Sequence, residues 1–496
     1  MNKFAAAWKQ HQEVVYTENG GLTYDTSASS NVDLFFAIGA LRGQGTDRLY
    51  RLFAKAFGEN PYVATRILLW ARDVRGGAGE RQVFRDLLRW LEKFDRDVLS
   101  LVLPKIPELG RWDDMIGSKE PIFQTKEARE MAYEMYAAAL AVGDGLAAKW
   151  APRNGPVANE LRRYLKMTPK QYRKYIVGLT NVVETKMCAK DWESINYSHV
   201  PSLAQSRYQK AFLRHDELRY REFGSKAKEY AEAVASGDVE KIKSIEKVTI
   251  NAGAVYPYDV LKPLLGNRWD SGVNLDTIRA QWATLPNYVG ENSILPMVDV
   301  SGSMGSSVGV GLTCLDVAVS LGLYMATKNS GAFHNMFMTF SGDPDLVHLK
   351  GDDIVNHVAQ MSQAHWDMNT NLSRAFSKIL TFANQNRVPQ SDMPEYLIVF
   401  SDMEFDQASS GRTAYQDYFE KFEQAGYRAP KIIWWNIQSR QDNVTVKFNQ
   451  QGAALVSGFS PSLAKNIMAG QGISPVEMMM NVIMDKRYDL DMVKAA

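Results

Sequence analysis

Four near-continuous apolar runs near the C-terminus constrain this chain most: SILPMVDV (293–300), EYLIVFSDM (395–403), KIIWWNIQ (431–438) and AALVSGFSP (453–461). Runs without polar alternation suit strands buried on both faces. Between them lie helical patterns, LDVAVSLGLYMATKN (315–329), DDIVNHVAQM (352–361) and NLSRAFSKILTFANQN (371–386). HNMFMTFSG (334–342) reads as a further strand and SLAKNIMA (462–469) as a closing helix. This order predicts a doubly wound, Rossmann-like α/β domain over 290–496.

Residues 1–289 have another texture. LYRLFAKAFGENPYVATRILLWARDVR (49–75) has helical spacing, broken at Gly58-Glu59-Asn60-Pro61. ERQVFRDLLRWLEKF (80–94) carries Val83, Leu87, Leu88 and Leu91 on one stripe. Short helices between Gly, Pro and Asn turns fit a solenoid or bundle, although no strict sequence period marks a regular repeat. The expected class is therefore α + α/β. At 45% hydrophobic and 23% charged residues, folding needs no disulfide or metal staple. Cys188 and Cys314 lie in unrelated patterns, and the first residues show no signal peptide, so a reducing, cytoplasmic compartment is expected. No run is long enough to span a membrane.

A net charge of +1 hides an asymmetry. Residues 290–496 hold 15 Lys/Arg and 21 Asp/Glu, whereas 153–223 hold 14 Lys/Arg and 7 Asp/Glu. That stretch contains Arg162, Arg163, Lys166, Lys170, Arg173 and Lys174, with Tyr164, Tyr172 and Tyr175 interleaved. Cations for phosphates beside stacking rings suit RNA; solvated helix faces with core tyrosines are the alternative. In RDVRGGAGER (72–81), Arg72, Arg75 and Arg81 flank a Gly turn. It reads either as a helix–helix connection or as a close approach for phosphate.

The first apolar run ends in Asp299, and Ser301 and Ser303 follow at two-residue spacing. In open α/β sheets, ligands sit outside the carboxyl ends of the strands. One carboxylate and two hydroxyls there make a hard-oxygen site suited to Mg2+, with Ca2+ or Mn2+ as alternatives, and not to zinc. Thr370 and Asp402 fall at other strand ends and complete the candidate set. Ser303 lacks the surroundings of a nucleophile elbow, and the glycines lack a phosphate-loop Lys. A binding protein, not an enzyme, is expected.

MVDVSGSMG, the Thr370 loop and the strand ending in Ser401-Asp402 resemble a von Willebrand factor A domain. The resemblance implies a metal-ion-dependent adhesion site built from Asp299, Ser301, Ser303, Thr370 and Asp402, with a coordination position open to an acidic residue of a protein partner. The helical phrases TENGGLTYDTS (17–27), DVRGGAGER (73–81), ELGRWDDMI (108–116), AAKWAPRNG (147–155) and SINYSHVPSLAQSRYQKAFLRHDELRY (194–220) resemble an uncharacterised family that joins a helical region to such a domain. More distantly, the domain order, DVRGGAGER and RWDDMI resemble the Ro autoantigen (TROVE) family. That resemblance implies HEAT-like helical repeats able to form a ring, and binding of small structured or misfolded RNA. The residues expected to bind it are Arg75, Arg81, Lys149, Arg153, Arg162, Arg163, Lys170, Arg173, Lys174, Arg207, Lys210 and Arg214. The alternative is a metal-dependent interaction or assembly adaptor without RNA.

Overall fold

The N-terminal half is built of helices, and the C-terminal half carries a six-stranded sheet with helices around it. A computed structural model describes residues 14–253, 255–265, 273–309, 311–340, 344–362, 371–406, 412–438, 441–464 and 473–490.

Local chemistry sets the helix ends. The break at Gly58–Pro61 separates helix Thr46–Glu59 from helix Pro61–Arg72. Asn60 accepts the Val63 N–H, and Pro61 occupies the first turn, where its missing N–H costs nothing. Helix Arg81–Phe94 buries Val83, Phe84, Leu87, Leu88 and Leu91, so the apolar stripe becomes the packed face. A second, smaller core gathers Ile195, Tyr197, Phe212, Tyr220 and Phe223 beneath the helices Ser202–His215 and Glu217–Ser236.

The strands, in chain order, are β1 (Val14–Tyr16), β2 (Leu22–Tyr24), β3 (Ile294–Asp299), β4 (Ser307–Gly309), β5 (Leu312–Thr313), β6 (Met336–Phe340), β7 (Asp345–His348), β8 (Tyr396–Ser401), β9 (Lys431–Asn436) and β10 (Ala453–Ser457). The main sheet runs β10-β9-β8-β3-β6-β7. Its pairs are parallel except β6–β7, which is antiparallel. Central strands β3 and β8 are buried at every position, as their unbroken apolar runs require. The edge strand β7 leaves no strand signal in the sequence, since its DLVH has partly exposed residues and no apolar run. The expected closing helix at 462–469 lies mostly outside the described residues.

The halves share one hydrophobic core, which includes Phe35 and Trp70 on one side and Trp434, Trp435 and Leu455 on the other. The β1–β2 hairpin sits at the far N-terminus yet leans on the sheet's loops, through bridges Gly20–Asp406, Leu22–Thr413 and Tyr24–Val444. Among the described residues, no helix is long and apolar enough to cross a membrane.

Candidate metal centre and cationic helices

Strands β3 and β8 are neighbours, with Val298 opposite Phe400, so the residues that leave their carboxyl ends meet. Asp299 ends β3 and is fully buried. Its Oδ1 accepts the Ser301 N–H at 3.0 Å, and its Oδ2 accepts the Ser401 hydroxyl at 2.6 Å. The Ser301 and Ser303 hydroxyls lie 3.1 Å apart. Asp402, also buried, follows Ser401, and its Oδ1 accepts the Glu404 N–H at 3.4 Å. Between them Met403 adopts a left-handed backbone with φ +68°, a conformation an L-residue holds only under constraint. One constraint is the Ser401 hydroxyl, which accepts the Met403 N–H at 3.0 Å.

The electrostatics follow from two buried acids side by side. Burial, and then the charge of Asp402, push the Asp299 carboxyl up to about 7, against the hydrogen bonds from Ser401 and Ser301. A divalent cation would relieve the repulsion between two such carboxylates. The donors fit one: two carboxylates and two hydroxyls, all hard oxygens. Among the described residues no three His, Cys, Asp or Glu side chains converge to hold a metal. Any cation here therefore draws its remaining ligands from hydroxyls, carbonyls and water. Asp299, Ser301, Ser303 and Asp402 would hold it; Thr370 lies outside the described residues.

The twelve expected RNA-binding cations do not form one class. Arg81 is committed to Asp113 and, at 3.0 Å, Asp114. Arg75 is exposed but donates to the Glu108 carbonyl at 3.1 Å. Lys149 lies 3.7 Å from Glu184 and over the Trp150 ring. Arg153 reaches the Thr180 hydroxyl, and Arg162 is half-buried on the Met167 carbonyl. Arg163, Lys170, Arg173 and Lys174 are exposed on helices Gly155–Tyr164 and Pro169–Leu179, and Arg207, Lys210 and Arg214 on helix Ser202–His215. The interleaved tyrosines serve packing more than stacking. Tyr172 is buried with its hydroxyl on the Pro152 carbonyl, and Tyr175 donates to the Leu140 carbonyl; Tyr164 keeps 39% of its surface exposed.

The glycine turn connects helix Pro61–Arg72 to helix Arg81–Phe94. A Cβ on Gly77 would stand 1.9 Å from the Trp70 carbonyl, so its bare backbone is used against its own helix. Asp73 receives Arg487 through two bonds of 2.8 Å and the Tyr488 hydroxyl at 3.0 Å, tying this turn to the helical turn Lys486–Tyr488. Arg72, Arg81 and Arg85 converge on buried Asp114, while Arg81, Arg85 and Arg111 reach Asp113. Burial alone would raise the Asp114 carboxyl, but Arg72 and Arg85 outweigh it and hold it below the ordinary aspartate value. The sequence offered one hint of this network, an Asp-Asp pair in an arginine-rich region.

Residues 17–102 and 141–295 match a family model described as a domain of unknown function (DUF2828), and 293–494 match another described in the same terms (DUF7788). The chain is similar to the uncharacterized protein L728 of Acanthamoeba polyphaga mimivirus, 28% identical over 94% of this chain and 87% of that protein. Among solved structures, that of the Deinococcus radiodurans RO (RSR) protein aligns over 90% of this chain and 93% of that one, at 14% identity and a TM-score of 0.38.

Proposed function

We propose that the chain is a non-catalytic binding protein that holds a divalent cation, Mg2+ first among candidates, between β3 and β8 and uses it to capture an acidic side chain of a protein partner. The observation that carries this reading is the pair of buried carboxylates, Asp299 and Asp402, set beside two serine hydroxyls at the carboxyl ends of adjacent parallel strands. A cation there neutralises charge that burial makes costly, and a coordination position left open accepts one more carboxylate oxygen. The test is a peptide array in which each Asp- or Glu-containing peptide is paired with its Asn or Gln counterpart. Selection of acidic peptides in Mg2+, lost in EDTA and in Asp402→Ala, is expected. Binding indifferent to EDTA would remove the reading.

A second reading, RNA binding by the helical half, is favoured by the exposed cations Arg163, Lys170, Arg173 and Lys174 on consecutive helices. Within the phrases DVRGGAGER and RWDDMI, Arg81 and Arg111 are committed to Asp113 and Asp114, Asp73 to Arg487 and Glu80 to Arg42, so they add little to it. RNA with a structured part and a single-stranded 3′ tail should bind with an affinity that falls steeply with salt. Reversing Arg163, Arg173 and Lys174 to Glu should cut affinity about tenfold or more, because each removes a phosphate contact. No binding at low salt would exclude this reading and leave the cation site standing.

A further inference from the structure

The turn Thr17–Gly21, TENGG, closes the β1–β2 hairpin and lies against the loop that leaves β8 just after Asp402. Thr17 is 6% exposed, and its Oγ1 donates to the Phe405 carbonyl at 2.6 Å while accepting the Gly21 N–H at 2.8 Å. The Glu18 N–H donates to Glu404 Oε2 at 2.8 Å, and Asn19 Nδ2 donates to the Glu404 carbonyl at 2.5 Å. A Cβ on Gly21 would stand 2.4 Å from the Phe405 carbonyl and 2.9 Å from that of Asp406, so only glycine permits this approach. Glu404 is 1% exposed, and the backbone N–H of a residue nearly four hundred positions earlier helps to hold its carboxylate.

These contacts grip the loop immediately beyond its constrained residue. Met403, at φ +68°, lies between Asp402 and Glu404. The Ser401 hydroxyl holds one side of it, and the turn holds the other. A left-handed backbone at a residue other than glycine persists only where surrounding contacts over-determine it. We propose that the Thr17–Gly21 turn is a strap that positions Asp402: it clamps the 404–406 loop so that the Asp402 carboxylate stays beside Asp299 and the serine hydroxyls. Thr17 and Asn19 are positioning residues, and Gly21 supplies the clearance. Cation affinity then depends on the N-terminal hairpin. This rests on the cation reading above.

The experiment uses the full chain and Mn2+ as probe, with affinity from titration calorimetry and loop mobility from amide hydrogen exchange at 403–406. Thr17→Val, which keeps the shape and loses the hydroxyl, should weaken Mn2+ binding about two- to tenfold, the worth of one hydrogen bond. Gly21→Ala should weaken it more, and Thr17→Ser should restore it. Exchange at 403–406 should speed up in Thr17→Val and Gly21→Ala and not in Thr17→Ser. If either variant fails to fold, the exposed Asn19→Ala should give a smaller loss in the same direction. Faster exchange with unchanged Mn2+ affinity overturns the strap as a positioning device and leaves the cation site intact. Wild-type protein that binds no Mn2+ overturns the cation reading, and the positioning role falls with it.

Discussion

Asp299 and Asp402 illustrate how local spacing makes a site legible. The D-x-S-x-S pattern past an apolar run placed an acid and two hydroxyls at a strand's carboxyl end, and in the structure Asp299 accepts the Ser301 N–H while the Ser301 and Ser303 hydroxyls meet each other. Asp299→Asn should therefore raise the thermal midpoint in EDTA at pH 8, by removing one of two mutually repelling buried charges, and should abolish any midpoint increase on adding Mg2+. A lowered midpoint in EDTA would mean that Asp299 is matched by charge already in the protein. The arginine network was hinted at only by the Asp113-Asp114 pair, because most of its ion pairs join residues tens of positions apart and leave no local pattern. Asp114→Asn should cost about 3–5 kcal/mol by leaving buried Arg72 without its partner. Since Asp114 titrates below its unfolded value, its stabilisation is full above the ordinary aspartate range and is lost as pH falls through and beneath it. Urea unfolding between pH 6 and pH 3 should show a smaller pH slope in the variant.

At the scale of elements, the buried strands were readable, because a strand covered on both faces must be apolar throughout. The edge strand β7 and the β1–β2 hairpin were not, being short and partly exposed. Asn19-Gly20 between two short β-branched or aromatic runs was the available hairpin signal. Helices also meet across the two halves in a titratable contact. Lys328, in helix Cys314–Lys328, donates to the Ala283 carbonyl near the end of helix Leu275–Thr284 at 3.2 Å. Burial pushes its amine down to about 8. The unfolded chain then binds more protons than the folded one between about 8 and the ordinary lysine value of about 10.4, so stability rises with pH across that window. Lys328→Met should flatten this rise in urea midpoints measured at pH 8 and pH 9.5; an unchanged slope would show that the amine is solvated.

Over the whole molecule, charge and core argue for one cooperative body. The Ser457 hydroxyl at the end of β10 donates to the Phe35 carbonyl and accepts the Gly39 N–H from the end of helix Ser30–Ile38. Asp73 holds Arg487 and Tyr488, and the hairpin holds the 404–406 loop. None of these contacts was visible in the sequence, where the change of texture near 290 marked two domains and said nothing of what joins them. Thermal unfolding followed by far-UV and near-UV circular dichroism should give coincident single transitions, and a 290–496 fragment should melt well below the intact chain; two resolved transitions would contradict a shared core. A bound cation is what makes Asp299 and Asp402 a binding site. The most direct test of this is calorimetric titration of metal-stripped protein with Mn2+, beside Asp299→Asn. One site per chain in the wild type and none in the variant is the expected result; no saturable binding in the wild type, or equal binding in both, would contradict it.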